Sequence, residues 1–309
     1  MRKVIGIGET ILDVIFKNDI PTKAVPGGSV FNGLVTLGRL NVPTAFVSEV
    51  GNDKVGHIIL DFMKENNLTT DHVDCFPDGK SPVSLAFLDD NNDAQYLFYK
   101  DYPSQRLDVV LPRINPDDIV IFGSFYALNP ALRSKMTEIL EYARDRKAII
   151  YYDPNFRKSH ANEAIRLMTS LLENFEYADI VRGSDEDFFN IYKMTDLAAI
   201  YKSKIQFYSP NFICTKGGKG VSLFTRKGVK EFAVPAIETV STIGAGDNFN
   251  AGVLFGLLRY NVLRADLDNL SEELWAKIIQ CGIDFSSEVC GSYDNYISRE
   301  FAQNYLSRI

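Results

Sequence analysis

The sequence predicts an α/β protein, a parallel sheet covered by helices on both faces, with a small β-sheet lid projecting from it. Short apolar runs rich in β-branched and aromatic residues alternate with amphipathic stretches along almost all of the 309 residues. Continuous apolar runs are what strands buried on both faces require, and the alternation with helices makes the sheet parallel. In two places the rhythm breaks, and strand pairs follow one another with no helix between them. At 46% hydrophobic and 24% charged residues, the chain can bury a large core, which excludes disorder, collagen and coiled coil.

The elements follow in order. Residues 4–7 form the first buried strand. Residues 1–16 are apolar but are interrupted by Glu9 and Asp13 and lack a small-residue cleavage site, so no secretory signal is expected. Residues 14–25 read as the first strand pair without a helix. After Val25-Pro26-Gly27-Gly28, a helix carries Leu34, Leu37 and Leu40 at helical spacing. Residues 45–47 are the next buried strand. Residues 83–100 are the second strand pair, with Asp90-Asn91-Asn92-Asp93 as its hairpin loop. Buried strands at 119–122, 148–152, 180–181 and 212–214 follow, with an amphipathic helix over 131–146, and an apolar helix runs to about Tyr260. No apolar run approaches the ~20 residues of a membrane span. With no repeat or long Pro/Gly/Ser linker, residues 1–309 are expected to form one α/β domain whose lid is built from about 14–25 and 83–100.

Charge and cysteine usage narrow the partners. Lys and Arg number 33 against 40 Asp and Glu, a net charge of −7, which argues against nucleic acid. Cys75, Cys214, Cys281 and Cys290 contain no C-x-x-C pair, and three histidines cannot complete a zinc-ligand spacing. The thiols are expected to be reduced and buried, as in a cytoplasmic protein.

Three glycine-rich segments could carry chemistry. Ser241-Thr242-Ile243-Gly244-Ala245-Gly246-Asp247 opens the late apolar helix; small residues there let backbone N–H groups approach an anion at a positive helix terminus, with Asp247 beside it. Taken alone, the segment serves equally well as a glycine turn with a first-turn carboxylate. Pro26-Gly27-Gly28-Ser29-Val30-Phe31-Asn32 exposes backbone and offers an amide suited to a polyol, or simply starts a helix. Thr215-Lys216-Gly217-Gly218-Lys219-Gly220 follows a strand and could wrap a nucleotide, although a hairpin is the better reading of that piece by itself. Gly79-Lys80-Ser81 is no P-loop, because the first glycine of that motif would fall at Asp74. Gly6-x-Gly8 lacks the third glycine of a dinucleotide fold.

Together these segments resemble the ribokinase-like (PfkB) carbohydrate kinase family. The resemblance rests on Gly8-Glu9-Thr10-Ile11-Leu12-Asp13, Gly27-Gly28-x-x-x-Asn32, Gly51-Asn52-Asp53-x-x-Gly56, Asp153-Pro154-Asn155-Phe156-Arg157, Thr215-x-Gly217-x-x-Gly220 and Gly244-Ala245-Gly246-Asp247, in the family's order over essentially the whole chain. It implies a three-layer αβα sandwich with a central mostly parallel sheet and a lid, and ATP-dependent phosphorylation of a small sugar. Asp247 takes the place of the catalytic base, and Gly244, Ala245 and Gly246 that of the anion hole. Asp13, Gly27, Gly28 and Asn32 match sugar-binding positions, and Arg157 lies where family members place groups near the phosphoryl path or substrate. Phe98, alternating with Tyr96 and Lys100 on the outer lid strand, is a candidate for the apolar face of the sugar, or else packs within the lid or at a dimer contact. Ser184, Thr215, Gly217 and Gly220 match the nucleotide site.

The departures from the family pattern matter. Ser184-Asp185-Glu186-Asp187 stands where many members have Asn-x-x-Glu, so Asp187 is the position for Mg²⁺, reached through water. Ser241 and Ile243 replace residues associated with a monovalent cation, which argues against that site. A non-catalytic sugar or nucleotide sensor would not need Asp247. The motifs look most like fructokinases, with kinases of 2-keto-3-deoxygluconate or ribose as the alternatives. The resemblance also implies a homodimer through the lid, for which Val83, Leu85, Phe87, Phe98 and Phe16 supply apolar surface, the alternative being a lid that closes only over its own substrate. Because a base needs only to be ionised near neutral pH, no unusual pKa is expected for Asp247.

Overall fold

A computed structural model of the chain describes residues 2–88, 94–104 and 106–307. Strands β1 (Val4–Ile7), β2 (Ile11–Lys17) and β3 (Ile20–Gly27) lead to helix α1 (Ser29–Arg39), then β4 (Thr44–Gly51), α2 (Lys54–Glu65), β5 (Val73–Phe76), β6 (Lys80–Leu88) and β7 (Ala94–Asp101). Next come β8 (Ile119–Gly123), α3 (Arg133–Asp145), β9 (Ile149–Asp153), α4 (Ala164–Tyr177), β10 (Ile180–Ser184), α5 (Asp185–Tyr192) and α6 (Leu197–Ile200). The chain closes with β11 (Asn211–Thr215), β12 (Val221–Thr225), β13 (Gly228–Phe232), α7 (Ala245–Arg259), α8 (Glu272–Cys290) and α9 (Arg299–Ser307).

The main sheet has nine strands in the order β13-β12-β11-β10-β9-β8-β1-β4-β5. It is parallel from β5 to β11 and ends in the antiparallel β11-β12-β13 edge. Each central strand sends alternate residues to two separate cores. Val4, Phe46, Ile121, Ile149, Tyr151 and Ile213 pack under α1, α2, α7 and α8. Ile5, Val47, Phe122, Ile150, Tyr152 and Phe212 pack under α3, α4 and α5. This two-sided burial is the physical cause of the continuous apolar runs in the sequence. Helix α7 is buried nearly all round because α8 lies directly on it. A Cβ at Gly252 would come within 2.2 Å of the Cys281 carbonyl oxygen, so even alanine there would force the two helices apart.

The lid is a four-stranded sheet in the order β3-β2-β6-β7, as expected, although its first strand begins at Ile11 and so includes Asp13. The expected hairpin loop at 90–93 lies outside the described residues. Gly79-Lys80-Ser81, the false P-loop end, starts β6. There Ser81 donates its backbone N–H and its hydroxyl to Asp53, which also caps α2 through Gly56. The Gly-x-Asp-x-x-Gly motif therefore ties the lid's root to the body.

One expectation needs correction: Cys214 and Cys281 are buried, but Cys290 is half-buried and Cys75 is exposed, because β5 is an edge strand. Among the described residues, no helix is long and apolar enough to cross a membrane.

Candidate active site

The carboxyl ends of the parallel strands and the N-terminus of α7 meet at one edge of the main sheet, the usual place for ligands in such sheets. Strand β9 ends at Asp153, β10 at Ser184 and β11 at Thr215. Gly244 caps α7 with φ 76°, a conformation that costs glycine little. A Cβ there would also press to 2.8 Å from the Asn295 carbonyl oxygen. Asn248 fixes the turn, donating to the carbonyls of Gly244 at 2.8 Å and Asn295 at 2.7 Å. Of the loop amides expected to form an anion hole, that of Ala245 donates to the Thr242 carbonyl at 3.2 Å. Gly246 and Asp247 occupy the first helical turn, where N–H groups have no intrahelical acceptor.

Asp247 is buried in that turn and accepts a hydrogen bond from Asn32 Nδ2 at 2.8 Å. Burial raises its pKa to about 7, against the opposing effects of Asn32 and of the Arg157 and Arg182 charges. This differs from the expectation of an ordinary carboxylate: the cost of taking the charge out of water, with Asp153 adding to it, exceeds what Asn32 and the two arginines return. Asn32 Oδ1 is buried with no hydrogen-bond partner among the described residues, an orphaned acceptor of the kind a ligand hydroxyl satisfies.

The lid supplies the opposite wall. Asp13 on β2 accepts from the Ser84 hydroxyl on β6, and burial raises its pKa to about 6. Gly27 leaves room for it, since a Cβ there would lie 2.6 Å from Asp13 Oδ2. Gly28, at φ 134°, packs its Cα against the Glu9 carbonyl, where a Cβ would meet oxygen at 2.2 Å. Ser84 is paired with Asp13 on one side and Phe98 on the other. Directly paired residues share a face of a sheet, so Phe98 stands on Asp13's face. The apolar set Val14, Phe16, Val83, Leu85 and Phe87 lies on the other. Phe98 therefore does not belong with the lid's outer apolar surface. Glu9, between β1 and β2, accepts from Lys100 at 2.7 Å and from the Tyr102 hydroxyl at 2.5 Å, latching the lid strand to the body. Arg157 is exposed, and its charge lowers the pKa of both Asp13 and Asp247.

The third wall is the end of the sheet. Ser184 caps α5, and Asp187 accepts from both its N–H and its hydroxyl at 2.7 Å. Burial and the nearby Asp153 raise the Asp187 pKa against those bonds. Gly217 and Gly220 have φ of 54° and 102°, and side-chain space at Gly217 is open, so the loop is both the expected hairpin and a bare backbone surface. Among the described residues, no group of three or more His, Cys, Asp or Glu could hold a metal. A single buried carboxylate such as Asp187 fits a cation held through water and phosphate oxygens rather than by a protein cage.

The residues that sequence reasoning missed are the buried polar ones beneath the loop. Arg182 Nη1 donates to Asp153 Oδ2 at 2.8 Å and Nη2 to Thr215 Oγ1 at 2.7 Å. Asn250 Nδ2 reaches the same Asp153 oxygen at 2.6 Å. An arginine inside a strand buried on both faces, and asparagines at 248 and 250 in an apolar helix, were the available signals.

The family model described as pfkB family carbohydrate kinase matches residues 1–299. A fructokinase from Rhizobium leguminosarum bv. trifolii is 31% identical over 245 residues, covering 77% of this chain and 73% of that protein. Among solved structures, aminoimidazole riboside kinase from Salmonella enterica, complexed with aminoimidazole riboside and an ATP analog, superposes with a TM-score of 0.81 at 21% identity, covering 99% of both chains. Fructokinase with bound ATP from Xylella fastidiosa gives a TM-score of 0.82 at 19% identity, over 100% of this chain and 99% of that one. These two likenesses show the fold.

Proposed function

The chain belongs to the pfkB family of carbohydrate kinases, and from that membership we propose that it transfers the γ-phosphoryl group of ATP to a hydroxyl of fructose, with Asp247 as the base. The sugar oxygen attacks the γ-phosphorus as its proton passes to Asp247. A new O–P bond forms, the bond from phosphorus to the bridging oxygen breaks, and its electron pair leaves on ADP. The observation that carries this reading is the setting of Asp247, buried at the start of α7, bonded to Asn32 and with a pKa near neutrality, where a general base works best.

In this reading Asp13, Gly27, Gly28, Asn32, Phe98 and Arg157 hold the sugar, and Ser184, Thr215, Gly217 and Gly220 the nucleotide. The amides of Gly244, Ala245 and Gly246 receive the transferring phosphoryl group, that of Ala245 after giving up the Thr242 carbonyl. Mg²⁺, held by Asp187 through water, would neutralise phosphate charge. We assign no role to potassium, because Ser241 offers a neutral hydroxyl, which accepts from the Ile243 N–H at 3.2 Å, where the resemblance leads one to expect a carboxylate.

A neutral sugar is favoured by the charges around the lid. Glu9, Asp13 and Asp247 are acidic and Lys100 is already paired with Glu9, so Arg157, the cation whose charge acts on both Asp13 and Asp247, stands against three carboxyl groups, a balance that disfavours an anionic sugar acid such as 2-keto-3-deoxygluconate. The fructokinase relative supports the same choice. We place the reaction in the cytoplasm, where ATP is present and the exposed Cys75 thiol stays reduced. Coupled ADP release over purified fructose, ribose, glucose and 2-keto-3-deoxygluconate tests the reading. Fructose should give the highest kcat/KM; a higher value for the sugar acid would overturn the choice of substrate.

A further inference from the structure

We propose that Arg182 is a positioning residue for phosphoryl transfer, its guanidinium clamping the end of the nucleotide strand at Thr215 to the underside of the anion loop at Gly246. The inference rests on the reading of that loop as the phosphoryl-transfer centre.

The geometry is specific. The Arg182 side chain is 6% exposed, yet its fork does not serve its own strand. Nη1 goes to Asp153 on β9 and Nη2 to Thr215 on β11. The same guanidinium lies against Gly246, where a Cβ would be 3.0 Å from Nη1 and 3.2 Å from Nη2. Gly246 is thus small because an arginine fills the space its side chain would need. Asp153 is held in turn by Asn250 of α7, which accepts from the Tyr151 hydroxyl at 3.0 Å. One buried network therefore fixes β9, β10, β11 and the first turns of α7 relative to one another. Arg182 also stands over the Phe249 ring at 5.3 Å, and its Nε has no hydrogen-bond partner among the described residues.

A buried ion pair of this kind is a poor stabiliser compared with apolar residues of the same volume. Its value lies in what it touches. As the phosphoryl group transfers, negative charge builds at the loop above Gly246. A fixed cation in a water-poor layer just below acts on that charge without reorganising. Arg182 does so through the loop it supports rather than by touching substrate.

Two variants separate this role from simple charge balance. Arg182→Lys keeps the charge and loses the fork, and should lower kcat at saturating ATP and fructose by about tenfold or more. The double variant Asp153→Asn/Arg182→Met removes both charges together, so no buried ion is left unpaired. It should melt close to the wild type, lose about 10²- to 10³-fold in kcat, keep its fructose KM within about threefold, and lose about 10²- to 10³-fold in affinity for ADP with aluminium fluoride and fructose, against about tenfold or less for ADP alone, which loses only the anchoring of Thr215. Wild-type turnover in the double variant would show that Arg182 only balances Asp153 and would overturn the proposal. If the double variant does not fold, Arg182→Lys decides alone, and wild-type turnover there overturns the clamp. A wild type that releases no ADP with any sugar would instead overturn the kinase reading, and this inference with it.

Discussion

Asn32 Nδ2 donates to Asp247 Oδ2 across 2.8 Å, joining α1 to the first turn of α7. The residue matched to sugar binding and the residue matched to the base are therefore one hydrogen-bonded unit, and the remaining acceptor, Asn32 Oδ1, is left for a ligand. Asn32→Leu should lower kcat/KM for the sugar by about 10- to 100-fold, the cost of about 1–3 kcal/mol for unpaired buried polar groups. It should also move the acidic limb of the pH profile upward, because Asn32 favours the charged form of Asp247. An unmoved limb would separate the two roles.

With its pKa raised to about 7, Asp247 should impose an acidic limb near neutrality on kcat/KM of the free enzyme, activity falling as pH drops through it. The same shift affects stability. A carboxyl whose folded pKa exceeds its unfolded value of about 3.9 favours the folded state at low pH. That contribution is lost as pH rises from about 4 through 7. Asp247→Asn, which stays neutral and can still accept from Asn32, should therefore melt higher than the wild type at pH 8 and show little advantage near pH 4. Thermal denaturation at the two pH values checks the sign.

Asp13 is held by Ser84 across the lid strands. Asp13→Ala should raise the sugar KM by about 10- to 100-fold while leaving ATP affinity nearly unchanged. Gly27→Ala should mimic it in part, because the new methyl would collide with Asp13 Oδ2. Equal losses for sugar and ATP would place Asp13 outside the sugar pocket.

The two faces of the lid should behave differently. Leu85 and Phe87 share the outer face with Phe16, whose ring stacks on Phe87 at 4.8 Å, and Leu97 and Tyr99 extend it with 48% and 58% exposure. An apolar sheet face of this kind calls for a partner, and we propose a second copy of the chain. Leu85→Glu should reduce both mass by light scattering and activity. Phe98→Ala, on the Asp13 face, should weaken sugar binding and leave mass unchanged. A wild-type monomer with full activity at micromolar concentration would dispose of the dimer.

The architecture was legible because strands buried on both faces must be continuously apolar, and residues 4–7, 119–122 and 212–214 advertise that burial directly. The lid was legible as a break in rhythm. Which face each lid residue occupies was not, since Phe98 parts from Leu85 only through the pairing of β7 with β6. Glycines 27, 28 and 244 announced close backbone approach. The Arg182 network and the raised Asp247 pKa stayed hidden because both arise from burial between elements far apart in the chain. Cys75 was misread because position in a sheet, not residue type, exposes it.

The turnover of Asp247→Asn, measured as γ-phosphoryl transfer from ATP to fructose at saturating concentrations of both, tests most directly whether Asp247 is the base. The variant should fold and bind both substrates, with kcat lower by about 10²- to 10⁴-fold. A folded variant that keeps more than half of wild-type turnover would contradict that role.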